Sequence, residues 1–220
     1  MLTGLRAAWR GLGHLNRRGY IYVWANVLWA VMTLPVITAP AAWAGLVRLS
    51  YVAHRQPSVG LDDFWAGFRQ NLGRSLPISL ANILIVGISI SNLVSYASET
   101  GAGMVALRSV WILSLTLWLV VQYFAWCFFY AMRQPTFVGA LRNAAVMLLH
   151  NPMFCGGVLL GAVVVAALST ALPAAWFLIT GGALAAIANS AVQDRLRAAG
   201  FEAAPAFDEE LVVDPSLGDT

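Results

Sequence analysis

Long apolar runs alternate with short polar segments along the whole chain. A helix that crosses a bilayer needs about 20 predominantly apolar residues. Four runs are of this kind, at residues 20–47, 76–95, 110–132 and 155–191. The second and third runs each predict one pass. The fourth is long enough for two passes, and Pro173 near its middle predicts a tight turn over residues 169–174.

The first run has two interpretations, because its centre reads LPVITAP and contains two prolines. Proline lacks a backbone N–H and disfavours the continuation of a helix. Residues 20–47 form either one long kinked helix or a hairpin whose arms are residues 20–36 and 41–54. The candidate turn motif is Leu34, Pro35, Thr38 and Pro40. The returning arm is short for a ~30 Å hydrocarbon core, so this pair either spans fully or is partly re-entrant.

The positions of the arginines favour the hairpin. Basic residues collect on the cytoplasmic side of membrane proteins. With six passes, eleven of the 13 basic residues lie inside, Arg108 alone lies outside, and Arg48 falls within the returning helix. With five passes the division is seven inside and six outside. The sequence therefore predicts an all-α bundle of about six transmembrane helices in three hairpins, with both termini in the cytoplasm.

One short motif occurs twice. The sequences RQP at 55–57 and RQP at 133–135 each end an apolar run, and each precedes an amphipathic stretch. Arginine suits the cytoplasmic end of a membrane helix, and proline stops that helix. Each copy therefore predicts a cytoplasmic amphipathic helix after it. The repetition reflects either an internal duplication or a chance match of short motifs.

The first amphipathic stretch is the candidate contact surface for a cytoplasmic partner. Its apolar side chains recur with helical spacing, and two acids fall in its first turn. The predicted docking residues are Asp62, Asp63, Phe64, Trp65, Phe68 and Arg69. The alternative is that this helix lies on the membrane surface and caps the bundle.

Few polar side chains interrupt the apolar runs, and three of them are the candidate lining of a cavity: Asn26, Arg48 and Gln122. Such a cavity would suit a facilitator or small channel for neutral solutes. The alternative for the amides is that they hydrogen-bond between helices. Arg48 either extends to the headgroups, or faces such a cavity or pairs with a group on another helix. The runs themselves contain no Asp, Glu, His or Lys, which argues against a proton-coupled pump.

Composition supports the membrane class and excludes several others. The chain is 60% hydrophobic and only 10% charged, whereas soluble domains carry about 25% charged residues. Both cysteines lie in or beside apolar runs and are expected to be packing residues. The sequence contains no metal-ligand spacing, nucleotide-binding loop or acid–base pair. We therefore expect a protein that is not an enzyme, takes no cofactor and does not bind nucleic acid.

The end of the chain differs from the rest. Residues 198–220 contain six acids and no base, with two prolines. This composition predicts a disordered cytoplasmic tail. Residues 1–197 are predicted to form a single transmembrane helical domain.

The segment 26–46 resembles the YesL-like family of bacterial integral membrane proteins of unknown function. The matching residues, in the order of that family's first hairpin, are Asn26, Trp29, Leu34, Pro35, Thr38 and Pro40. Ala39 stands where the family has glycine. The resemblance implies a multi-pass protein of the bacterial plasma membrane and an accessory or regulatory role beside a carbohydrate ABC importer. It supplies no site residues.

Overall fold

The computed structural model describes residues 1–17, 19–56 and 58–201, and this part of the chain is helical without strands. We number its helices α1 (Leu2–Arg17), α2 (Gly19–Thr33), α3 (Ala39–Ala53), α4 (Leu61–Ser95), α5 (Ala102–Ala131), α6 (Phe137–His150), α7 (Pro152–Ala171) and α8 (Pro173–Ala198). A π-helical turn, Trp176–Thr180, lies within α8. Most of the predicted acidic tail, residues 202–220, lies outside the described residues.

Four helices, α4, α5, α7 and α8, are long and apolar enough to cross a membrane. The turn between α7 and α8 falls where Pro173 predicted it. α2 and α3 contain 15 residues each, which is about 22 Å of helix and less than the ~30 Å hydrocarbon core. The fold is therefore that of a helical membrane protein with four candidate spans. A count of six depends on the α2–α3 pair and stays a prediction.

The first apolar run folds back on itself as a hairpin. The Tyr22 hydroxyl of α2 donates to Oγ of Ser50 in α3 at 3.2 Å, and these residues flank the reversal. Within the turn the Thr38 hydroxyl donates to the Met32 carbonyl. Val36 adopts a φ of 58°, a region that is unfavourable for a β-branched residue. The predicted turn motif lies at this reversal, with Pro40 in the first turn of α3.

The first amphipathic stretch and the second apolar run form one continuous helix, α4, which corrects the prediction of a separate surface helix. Pro77 lies inside α4 and removes one backbone hydrogen bond. Serine hydroxyls add backbone contacts on both sides of it. Ser75 donates to the Leu72 carbonyl at 2.9 Å, and Ser79 donates to the Ser75 carbonyl at 2.9 Å. Membrane helices tolerate proline when nearby hydroxyls supply such contacts.

Helix α1 is an element that the apolar pattern did not predict. It packs along α7 and α8 through small residues. A Cβ atom added to Gly4 would lie 2.1 Å from the Phe154 carbonyl oxygen, and one added to Gly11 would lie 2.8 Å from the Ala186 carbonyl oxygen. The backbones therefore touch, as they do where small residues drive helix association in membranes.

We expect Gly157→Ala to loosen α1 from α7. A Cβ at Gly157 would lie 2.3 Å from the Met1 carbonyl oxygen, whereas a Cβ at Gly156 would meet nothing within 4 Å. Because the clash involves only the start of α1, a shift of that turn can relieve part of it, and we expect a cost of about 1–3 kcal/mol. Hydrogen exchange across α1 measures the loosening. Equal exchange in Gly157→Ala and in the matched Gly156→Ala variant would contradict this interface.

Helices α4 and α5 form a long hairpin whose apolar segments contain few buried residues, as expected of a surface that faces lipid. Its two arms are joined by a reciprocal pair of amides. The Asn82 amide donates to the Gln122 carbonyl oxygen at 3.1 Å, and the Gln122 amide donates back to the Asn82 oxygen at 2.7 Å. The Trp118 indole donates to that same Asn82 oxygen at 2.8 Å. These polar groups therefore hold two helices together.

The buried core lies at the other end of this hairpin, where α3 is central. α3 packs most extensively against α4 and also contacts α2, α5 and α8. Its buried positions include Leu46, Val47 and Leu49. The ends of α5, α6 and α8 come together beside it, and this end of the bundle carries the candidate sites.

Candidate functional site

The three residues predicted to line a solute cavity do not come together. Asn26 is fully buried, and its side chain forms hydrogen bonds with backbone groups of α8. The Arg48 guanidinium donates to the Gln70 side-chain oxygen at 2.7 Å. Gln122 is paired with Asn82. Each predicted residue therefore belongs to a separate hydrogen-bond network between helices. For Asn26 and Gln122 this is the alternative interpretation, whereas Arg48 pairs with a group on a neighbouring helix.

The predicted docking face divides into a buried part and an exposed part. Phe64 is 0% exposed because it lies against Gly45 of α3, and Phe68, which stacks on Phe64, is 8% exposed. These two aromatic residues are core residues, which corrects their assignment to a docking surface. The side chains that stay at least partly exposed form what we call the α4 flank, defined as Asp62, Asp63, Trp65, Arg69 and Gln70.

The α4 flank is held in place by contacts within the chain. The Asp63 carboxylate accepts the Gly60 N–H at 3.2 Å, which fixes the start of α4. The Arg69 guanidinium lies 5.4 Å from the centre of the Trp65 ring. Gln70 is held by Arg48 of α3. The flank therefore presents charges of both signs on a rigid helix.

A cavity of about 1240 Å³ lies where α5, α6 and α8 end and α7 begins. Both copies of the repeated motif reach it, the first through Arg55 and the second through Arg133 and Gln134. We call it the Arg-Gln-Pro cavity. Its lining is Arg55, Phe128, Ala131, Met132, Arg133, Gln134, Asn143, Val146, Met147, His150, Asn151, Arg195, Leu196, Ala199, Gly200 and Phe201.

The two copies of the motif also meet one helical turn earlier. The rings of Tyr51 and Tyr130, which stand four and three residues before the arginines of the two motifs, lie 6.2 Å apart. The Arg55 guanidinium stacks over the Tyr51 ring at 4.2 Å, and the Tyr130 hydroxyl accepts the Asn71 amide at 2.9 Å. The repetition in the sequence thus corresponds to adjacent positions in the fold.

The lining of the Arg-Gln-Pro cavity is basic. It contains three arginines and one histidine, and none of its described residues is an acid. Arg195 pairs with Asp194 at 2.8 Å and stacks over the Phe154 ring at 4.0 Å. Asp194 also pairs with Arg10 of α1 at 2.5 Å, so one carboxylate serves two cations.

The described residues contain no group of three or more His, Cys, Asp or Glu side chains that would hold a metal ion. His14 and His54 do stack, with ring centres 3.7 Å apart, where α1 approaches the end of α3. Both rings are buried. The two cysteines, Cys127 and Cys155, are free and buried, in agreement with a packing role.

These features define a helical membrane protein with a rigid polar flank and a basic cavity at one end of its bundle. Comparison with protein-family models, with curated proteins and with solved structures finds no match to the chain. The resemblance to the YesL-like family therefore stays a prediction.

Proposed function

We infer that this protein is a non-enzymatic, multi-pass component of the bacterial plasma membrane that acts by binding another membrane protein. The YesL-like resemblance suggests a carbohydrate ABC importer as that partner. The observation that supports a docking role is the α4 flank, a set of exposed polar side chains fixed on a buried helical base.

A fixed flank suits recognition of a protein surface. Its side chains lose little conformational freedom on binding, because stacking and hydrogen bonds already hold them. Asp62 and Arg69 offer opposite charges, which favour a partner with a complementary pattern. Trp65 is partly exposed between them and is of a type enriched at interfaces.

The arrangement of arginines supports a cytoplasmic position for this end of the bundle. Arg55, Arg133 and Arg195 come from separate parts of the chain and line one cavity. Positive residues gather on the cytoplasmic side of membrane proteins. We therefore place the α4 flank in the cytoplasm, with α2 and α3 as a short pair that completes six passes. A facilitator for neutral solutes has less support, since Asn26, Arg48 and Gln122 lie in separate networks.

We expect charge reversal on the α4 flank to abolish co-purification with the importer. Asp62→Arg combined with Arg69→Glu should lower recovery of importer subunits at least about tenfold, because reversed charges repel a surface that matches the native pattern. The measurement is quantitative mass spectrometry after mild detergent extraction at native expression. Arg142→Glu, an exposed arginine on α6, is the matched control.

A photo-cross-linking residue at position 62 also shows on which side of the membrane the α4 flank lies. We expect a cross-link to a cytoplasmic subunit of the importer from position 62 and none from Leu113, which is 68% exposed on the apolar α4–α5 hairpin. Recovery of the native protein without importer subunits, with the importer present in the same membrane, counts against the proposed function.

A further inference from the structure

We propose that the Arg-Gln-Pro cavity binds the phosphate group of an anionic amphiphile, with Arg55 and Arg133 as its principal ligands and Arg195 as the third. The cavity is separate from the α4 flank. Its ligand is independent of the importer, so either proposal can fail without the other.

The guanidinium groups are positioned for an anion. Aromatic rings fix two of them, since Arg55 stacks on Tyr51 and Arg195 stacks on Phe154. The Nε atom of each of these arginines is buried and has no hydrogen-bond partner among the described residues. A stacked guanidinium keeps its N–H donors in the plane of the group, where they can bind phosphate oxygens in pairs.

The dipoles of the helices that end here oppose the binding of an anion. Their partial charges can be compared with the charges of the arginines. α3, α5, α6 and α8 end at or beside the cavity, and α7 begins there. Each helix end carries about half an elementary charge, so these five ends sum to about −1.5. The three lining arginines carry three positive charges, of which that of Arg195 is offset by Asp194. After the helix ends are neutralised, the cavity therefore keeps an excess positive charge that can attract an anion.

The rest of the lining indicates that the ligand has an apolar part. Phe128, Met132, Val146, Leu196 and Phe201 supply an apolar wall beside the arginines. The volume of about 1240 Å³ is far larger than a phosphate ion needs, and it exceeds the usual 300–1,000 Å³ of small-molecule pockets. Basic pockets between membrane helices on the cytoplasmic side suit phospholipid headgroups.

Two sources offer this chemistry, a membrane phospholipid and a soluble phosphate ester. The full-length protein is placed in nanodiscs of phosphatidylglycerol mixed with phosphatidylcholine, and the lipids that stay bound after detergent exchange are measured by native mass spectrometry. We expect phosphatidylglycerol to be retained in preference to phosphatidylcholine, whose headgroup has no net charge. Binding of glycerol phosphate at millimolar concentration without any preference for phosphatidylglycerol assigns the site to a soluble ester, and a preference for phosphatidylglycerol that persists in its presence assigns it to the lipid.

The variants locate the site. Arg133→Gln, at an exposed position that should not affect folding, and Arg55→Gln should each lower the preference at least about tenfold, because each removes charge-assisted hydrogen bonds. Arg142→Gln, an exposed arginine of α6 outside the cavity, should leave it unchanged. An equal loss in Arg142→Gln, or a native protein with no preference for phosphatidylglycerol and no binding of glycerol phosphate, would overturn the proposal.

Discussion

Gly67→Leu is expected to force α3 and α4 apart and to destabilise the whole bundle. A Cβ at Gly67 would lie 2.8 Å from the Gly45 Cα and 2.9 Å from the Arg48 Cβ. These are atoms of the backbone or next to it, so no rotation of a side chain can make room. The helices themselves must move, and tightly packed interiors resist this. We expect a loss of about 3 kcal/mol or more in the free energy of unfolding.

The Gly67→Leu substitution should also break contacts at other positions between α3 and α4. The Arg48–Gln70 hydrogen bond of 2.7 Å joins the same two helices. The Ser79 hydroxyl of α4 also donates to the Ile37 carbonyl at 2.6 Å, which fixes the turn before α3. Separation of α3 from α4 breaks both contacts and exposes Phe64. The variant should therefore also lose the fixed geometry of the α4 flank.

Gly73→Leu is the matched control for this prediction. Gly73 lies on the same helix, and a Cβ there would meet nothing within 4 Å. Both variants replace a helical glycine by leucine and gain up to about 1 kcal/mol of helix propensity. The difference between them therefore isolates the contact with α3. Thermal unfolding in one detergent measures both variants, and a Gly73→Leu protein as unstable as Gly67→Leu would show that the contact is not the cause.

The prolines and the arginines of the sequence were sufficient to predict the first hairpin. Both act locally, because a proline disfavours helix wherever it lies in an apolar run and an arginine marks one side of a membrane. The reversal around Thr38 and the turn before Pro173 follow from such local effects. Local signals therefore gave the order of the helices and where the chain reverses.

The continuity of α4 could not be predicted in the same way. Residues 61–72 mix apolar and polar positions with helical spacing, while residues 76–95 are predominantly apolar. The change of pattern reflects the surroundings of the helix, which packs on α3 in its first half and is largely exposed in its second. Pro77 near the change of pattern favours a boundary that the fold does not make. The pattern describes the environment of each segment and does not show where a helix stops.

The small residues of α1 carried a signal that hydropathy does not measure. Gly4, Ala8 and Gly11 recur at helical spacing, and α7 contains Gly157 and Gly161 four residues apart. Such spacings permit close contact between membrane helices. Hydropathy gives glycine and alanine little weight, so α1 was not predicted as part of the bundle. The spacing of these small residues is visible in the sequence, but the sequence does not show which helix they contact.

The sites depended on contacts between distant parts of the chain. The burial of Phe64 requires α3 to cover α4, and helical spacing alone did not distinguish a core face from a docking face. Arg55 and Arg195 line one cavity although 140 positions separate them. The repeated motif was visible in the sequence, but the shared cavity could not be predicted, because it depends on the two copies being adjacent in the fold. Sequence patterns therefore supplied the candidate residues, and packing decided what they contact.

Asn26→Leu is the second substitution with a large expected effect. The Asn26 amide donates to the Trp176 carbonyl at 2.7 Å, and its oxygen accepts the Gly182 N–H at 2.8 Å. The first group belongs to the first residue of the π-helical turn of α8, and the second lies just after the turn ends at Thr180. π-Helical turns are rare and are kept where other contacts support them. Asn26 thus holds an irregular segment of α8 against α2.

Leucine branches at the same atom as asparagine, but it is larger and can neither donate nor accept. The substitution removes two buried hydrogen bonds and leaves their backbone partners without this side chain, with a cost of about 2–3 kcal/mol. Interhelical hydrogen bonds in membranes average about 0.6 kcal/mol. We expect the higher value here, because Asn26 is fully buried and binds one backbone group at the start of the turn and one just after its end. Asn16→Leu, at an exposed position of α1, is the control and should change stability by less than about 0.5 kcal/mol.

Amide exchange separates this role of Asn26 from simple packing. If its side chain supports the π-helical turn, Asn26→Leu accelerates exchange at Gly182 and its neighbours more than in the helical segment around Ala191, which is also buried. A uniform acceleration along α8 would instead indicate that leucine only weakens packing between α2 and α8. Asn26→Asp keeps an acceptor for the Gly182 N–H and loses the donor to Trp176, so slow exchange at Gly182 should persist in that variant while the protein stays folded. Fast exchange at Gly182 in the aspartate variant would show that the hydrogen bond to the Gly182 N–H does not stabilise the turn.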